Sequence, residues 1–212
     1  MYTPKHFAET RTDVLQALIR DCPFATVVAN GADGLVANHL PFEWVNGALH
    51  GHVARGNELA RLDGAEVLAV FRGPDGYVSP NWYPTKQETH REVPTWNYAV
   101  VHVHGRLKVV EDAAWLRALL ERLTDHHEAT EPQPWRIDDA PADHVEKMLH
   151  AIVGTEIAIE RVEGKFKLSQ NHPEHNRLGV IAGLRRRAGD GDAELADLMA
   201  LQEKSKHEEP KT

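Results

Sequence analysis

The hydrophobic period changes several times along the chain, and each change marks an element. Val14, Leu15, Leu18 and Ile19 recur at helical spacing and predict a helix over 12–21, with Thr10 or Thr12 as its cap and Pro23 beyond its end. Residues 24–29 are apolar and β-branched, the cluster NGADG at 30–34 reads as a turn, and 35–40 supplies a second strand. A third strand over 48–53 follows Asn46-Gly47. Its period of two puts His50 and His52 on one face and Leu49, Gly51 and Val53 on the other. The histidine face is either a polar exterior or the wall of a pocket.

A short helix over 57–62 comes next, capped by Asn57, then a strand over 66–72, a turn at Gly73-Pro74-Asp75-Gly76 and a partner strand starting at 77–79. Pro84 and Pro94 are expected to hold the following loop extended. Residues 97–110 read as one long strand or as a bent pair of strands with the break at Gly105, with Tyr98, Val100, His102 and His104 on one face. Trp115, Leu116, Leu119, Leu120 and Leu123 predict a helix over 112–127 begun by Asp112, followed by a shorter helix over 143–149 and a strand over 154–162. The segment 165–184 begins extended and ends as a helix from 176. A basic linker over 185–191, a helix over 192–204 and a disordered tail complete the chain. Strands joined by short turns pair antiparallel, so the pattern predicts a mainly β protein, an antiparallel barrel with surrounding helices over 1–184, and an appendage over 185–212.

Composition narrows the function classes. A formal net charge of -8 argues against a non-specific nucleic-acid binder, whose footprint is basic. The single cysteine, Cys22, has no intramolecular disulfide partner, and the N-terminus has no apolar stretch behind a basic start, so a cytoplasmic location is expected. No run approaches the roughly 20 apolar residues that cross a bilayer. Fourteen histidines invite a metal or haem, yet there is no His-Glu-x-x-His and no Cys-x-x-Cys, and no metal site is expected.

Candidate chemistry concentrates at 77–105, where Trp82, Tyr83, Trp96 and Tyr98 lie among Ser79, Lys86 and Thr95. Flat apolar rings mixed with hydroxyls and a cation describe a pocket for a planar ligand that carries a phosphate; the same rings could equally plug the end of a β-structure. In GHVARGNELAR, 51–61, Arg55 and Asn57 stand between a strand end and a helix start. Unpaired N–H groups and a guanidinium fork suit a phosphate there, and a solvated arginine in a turn is the alternative reading.

The blocks MYTPKHF (1–7), NHLPF (38–42), GHVARGN (51–57), YVSPNWY (77–83), VPTWNYAVVHVHG (93–105) and KLSQN (167–171), in this order, resemble the PaiB family of FMN-binding negative transcriptional regulators. The resemblance implies an FMN-binding split β-barrel of the pyridoxamine-phosphate-oxidase type, with flavin at a homodimer interface. By that analogy Arg55 and Asn57 fall near the FMN phosphate, and Ser79, Trp82, Lys86, Thr95 and Trp96 approach the phosphate, ribityl chain or ring. Ser169 and Gln170 close the pocket, and His39, within NHLPF, joins the cofactor-binding set. No catalytic residue is assigned.

No helix-turn-helix with a basic recognition helix is visible, and Arg185-Arg186-Arg187 is the one dense basic run. Regulation is therefore expected through DNA directly or through a partner. The alternatives are an FMN-dependent oxidoreductase, in which Lys86 or a histidine supplies positive charge near the reduced ring, and a haem-binding or haem-degrading split barrel.

Overall fold

The computed structural model describes residues 1–208. The last helix runs on to Glu208, past its expected end at 204, and the rest of the expected disordered tail lies outside the described residues. Eight strands are present: β1 (Ala8–Glu9), β2 (Phe24–Gly31), β3 (Gly34–Pro41), β4 (Glu43–Val45), β5 (Ala48–Ala54), β6 (Glu66–Val78), β7 (Thr95–Val110) and β8 (Ile152–Lys167). The helices are α1 (Thr12–Asp21), α2 (Lys86–Thr89), α3 (Ala113–Glu128), α4 (Ala142–His150), α5 (Glu174–Arg187) and α6 (Asp192–Glu208). The sheet runs β3-β2-β6-β7-β8-β5-β4, and β1 pairs with β8. The β1–β8, β2–β3, β2–β6, β4–β5 and β5–β8 ladders are antiparallel.

Packing gathers the chain into two compact units. One holds Met1–Arg11, Arg72–Val101 and the described residues from Glu163 onward; the other holds Thr12–Phe71 and His102–Val162. In the second unit the alternation seen in the sequence becomes the core. Ala25, Val27 and Ala29 of β2, Leu49 and Val53 of β5, Val67, Ala69 and Phe71 of β6, and Val153 and Ile157 of β8 are all buried. Leu15, Leu18 and Ile19 of α1 and Leu116 and Leu119 of α3 are buried in the same unit. Asp112 caps α3 by accepting from the Trp115 N–H at 2.8 Å. The first unit has its own core of Val78, Tyr83, Ala99, Val101, Phe166 and Leu168, with Val180, Ile181 and Leu184 of α5 and Leu195 and Met199 of α6.

Local signals set the turns. Asn46 and Gly47 both take positive φ, 48° and 83°, the geometry that a two-residue hairpin needs, and they join β4 to β5. Strand β4 itself was not expected, because three residues are too few to show a period. Three further expectations change. The segment 73–76 is not a turn: β6 runs straight through it. Arg187 Nη1 donates to the Tyr77 carbonyl at 2.9 Å, and a Cβ on Gly76 would lie 2.9 Å from Leu195 Cδ2, so packing from α5 and α6 keeps this stretch extended despite Pro74. The loop after Val78 is not extended either, since it winds into a 3-10 turn at Pro80–Trp82 and then into α2. Finally, Arg185–Arg187 close α5 and do not belong to a linker.

Of the two readings for 97–110 the structure takes the single long strand, and β7 is unbroken at Gly105. The glycine serves a close approach: a Cβ there would stand 2.2 Å from the Ala158 carbonyl oxygen on β8. Gly105→Ala must push two strand backbones apart and is expected to lower the unfolding free energy by about 1–3 kcal/mol. Urea unfolding measures it, and an unchanged midpoint would show that the strands separate without cost.

Candidate flavin site

The first unit assembles most of the residues singled out from the sequence. β6 delivers Ser79, whose Oγ accepts from the Asn81 N–H at 3.2 Å and so caps the 3-10 turn. Lys86 at the start of α2 donates to Asn81 Oδ1, so Ser79 and Lys86 meet at the same asparagine. Trp82 is driven into α5. Its ring lies where a Cβ on Gly183 would stand, 2.3 Å from Cδ2, and the Arg187 guanidinium carbon sits 5.1 Å from its centroid. The buried Asn176 of α5 ties down the following loop by accepting from the Thr85 N–H at 3.3 Å and donating to Thr85 Oγ1 at 2.8 Å.

Thr95 and Trp96 open β7, and a residue that sequence reasoning missed joins them. Lys167, the last residue of β8, donates from Nζ to Thr95 Oγ1 and to the Trp96 carbonyl, each at 2.6 Å. Its ammonium lies 5.9 Å from the Phe7 ring centroid. Trp96 is 55 % exposed and makes an edge contact with Tyr77, ring centroids 6.3 Å apart. Among the described residues no carboxylate pairs with Lys167. Burial first, and the neighbouring charge of Lys165 second, push its pKa below the ordinary 10.5. The signal that could have found it is alternation through KFKLS, where Phe166 and Leu168 are buried and Lys165 and Lys167 share the other face.

Ser169 and Gln170 shape the exit from β8. Ser169 is buried at φ 63°, with its Oγ accepting from Asn97 Nδ2 at 2.9 Å. Gln170 folds back, accepting from the Leu168 N–H at 2.7 Å and donating to the Phe166 carbonyl. Beyond them His172 stacks on Tyr83, 4.6 Å between centroids. Burial lowers the His172 pKa, Lys167 and Arg177 add to that, and Glu92 opposes it.

His39, Arg55 and Asn57 belong to the second unit. His39 Nδ1 lies 3.1 Å from Thr26 Oγ1, its partner across the β2–β3 ladder. Asn57 caps the turn Glu58–Arg61 by accepting from the Leu59 N–H at 2.9 Å, and donates to Asn38, the neighbour of His39, at 2.8 Å. Arg55 turns the other way. Its donors reach the His150 carbonyl at 3.1 Å, the Ile152 carbonyl at 3.3 Å and Glu111 Oε2 at 3.1 Å, pinning the junction of α4 and β8. The same unit has a cleft of about 570 Å³ that holds none of the expected residues; Arg20 and Arg122 on its wall already pair with Asp21 and Glu43.

Residues 1–161 match the family described as "Putative FMN-binding domain". The chain belongs to this family. A relative of PaiB type, protease synthase and sporulation protein PAI 2 of Bacillus subtilis, is 33 % identical, with 94 % of this chain and 96 % of the relative covered. Two solved structures share the fold: an FAD and haem binding protein from Mycobacterium smegmatis (22 % identity, TM-score 0.61, 81 % of this chain and 78 % of that one) and the flavocytochrome Anf3 from Azotobacter vinelandii (15 %, 0.61, 84 % and 78 %). The fold is that of the FMN-binding split β-barrel proteins, with an antiparallel sheet and flanking helices. Among the described residues no helix is long and apolar enough to cross a membrane.

The grouping around Lys167 suits a flavin nucleotide chemically: a cation with no counter-ion, a hydroxyl, and an indole face open to a planar ring. The depressed Lys167 pKa gives a test of the site's electrostatics. The unfolded chain holds this proton more tightly than the fold does, so stability contributed at Lys167 rises with pH between the folded pKa and 10.5, then levels. The unfolding free energy of the wild type minus that of Lys167→Met, both flavin-free, is expected to increase from pH 7 to pH 10. A difference that stays flat would show the ammonium to be as well solvated as in the unfolded chain.

Proposed function

We propose that the protein is a cytoplasmic FMN-binding homodimer of the PaiB type that acts in negative regulation of gene expression, with flavin bound at the subunit interface. The observation that carries the flavin part is the uncompensated Lys167 ammonium beside Thr95 and the exposed Trp96 ring, in a chain whose first 161 residues match an FMN-binding-domain family. FMN supplies a reversible two-electron redox centre when bound; the chain's own residues anchor its charged end and cover its ring. The regulatory part is supported by the name of the Bacillus relative, which refers to protease synthesis and sporulation.

The route of regulation is through a protein partner. Two of the three arginines in the one dense basic run are already paired, Arg185 with Asp197 at 2.9 Å and Arg187 with the buried Asp192. A run with one arginine left over has little charge for phosphate backbones.

The test is to load the purified chain with FMN and follow absorbance and sedimentation together. Flavin is expected to travel with a particle of two chains, and the loaded protein to oxidise NADH no faster than free FMN does. A flavin-bound monomer at micromolar concentration would remove the interface from the reading, and NADH turnover well above free FMN would replace the regulator with an oxidoreductase.

A further inference from the structure

We propose that Lys167, with the Thr95 hydroxyl, is the seat of the FMN phosphate and so the residue that makes this site prefer FMN to riboflavin. The inference rests on the flavin reading above and names a different phosphate ligand from Arg55, which the sequence had placed there.

The donor inventory favours Lys167. A lysine ammonium has three N–H bonds and no acceptor. Two of them go to Thr95 Oγ1 and the Trp96 carbonyl, so one remains. Both acceptors are neutral, which leaves the full positive charge uncancelled. Because Thr95 Oγ1 accepts from the ammonium, its own O–H is available to donate, and the pair presents two donors side by side to an anionic oxygen.

The other cations fit less well. Arg55 is held by Glu111 and two backbone carbonyls; Lys86, like Lys167, meets only a neutral acceptor, Asn81 Oδ1, but among the described residues it bonds no hydroxyl that could donate beside it. Lys165 donates to the Tyr2 carbonyl at 3.0 Å and stands over the Tyr98 ring at 5.4 Å. A half-buried charge without a partner is costly to fold, and a permanent anion repays that cost better than any neutral group. The phosphate of FMN is such an anion in every redox state. The isoalloxazine ring carries negative charge only when reduced, so it fits a resident cation less well.

The experiment measures dissociation constants of FMN and of riboflavin, both oxidised, for the full chain and for Lys167→Met, Lys167→Arg and Arg55→Ala, by quenching of flavin fluorescence. Riboflavin has the same ring and ribityl chain without the phosphate. Lys167→Met is expected to weaken FMN about 10- to 100-fold, the range of one charge-assisted hydrogen bond, and to leave riboflavin unchanged. Lys167→Arg keeps the charge and is expected to retain most of the FMN preference. Circular dichroism of each variant establishes that it is folded, and if Lys167→Met is not, the Lys167→Arg and Lys167→Gln pair decides in its place.

Equal losses for the two flavins in Lys167→Met, or no loss, overturn the assignment, as does an FMN-selective loss found in Arg55→Ala alone. A reduction potential that falls in Lys167→Met while oxidised FMN binds as before moves the ammonium from the phosphate to the ring and also overturns it. A wild-type chain that takes up neither flavin rejects the FMN reading itself and this assignment with it. Wild-type binding with an unaffected Lys167→Met rejects the assignment alone.

Discussion

The contact on which the candidate site depends is that of the Lys167 ammonium with Thr95 Oγ1 and the Trp96 carbonyl. It joins the last residue of β8 to the first two of β7, so the position of the cation is set by strands and not by a loop. Its neighbours along the chain, Phe166 in β8 and Leu168 just beyond it, are buried in the core of the same unit and fix the strand's face. Ser169 and Gln170 then turn the chain away at once, the first through a left-handed backbone and a buried bond to Asn97, the second by bonding its own neighbours' backbone. A cation fixed in this way is preorganised, and little side-chain freedom remains to be lost when an anion arrives.

The aromatic residues divide by role once their neighbours are known. Trp82 is a packing residue, locked over Gly183 and under Arg187, and it holds the segment from Ser79 to Lys86 against α5. Trp96 and Tyr77 keep exposed faces. The same sorting applies to the cations. Arg55, Arg185 and Arg187 each pair with a carboxylate within their own unit, whereas Lys167 meets only a hydroxyl and a carbonyl. Uncompensated charge beside a hydroxyl, rather than residue type, marks the binding candidate.

Much of the fold was legible because its signals are local. The apolar spacing of α1, the Asp112 cap of α3, the Asn57 cap and the Asn46-Gly47 hairpin all depend on a few adjacent residues, and each formed. Where tertiary packing decides, the sequence misled. Gly73-Pro74-Asp75-Gly76 has turn chemistry but is held extended by α5 and α6, and Gly105 left a bent pair of strands open although it marks strands in close approach. The site shows the same division. The block VPTWNY pointed to Thr95 and Trp96, but the cation that meets them lies 72 and 71 residues away in sequence and has no motif beyond its place on an alternating strand.

The most direct measurement of the central claim is a crystal structure of the FMN-loaded protein at a resolution that fixes the phosphate. The account predicts a phosphate oxygen within hydrogen-bond distance of both Lys167 Nζ and Thr95 Oγ1, with the Arg55 guanidinium still on the His150 and Ile152 carbonyls. A phosphate resting on Arg55 released from those carbonyls, with Lys167 remote from it, would contradict the account.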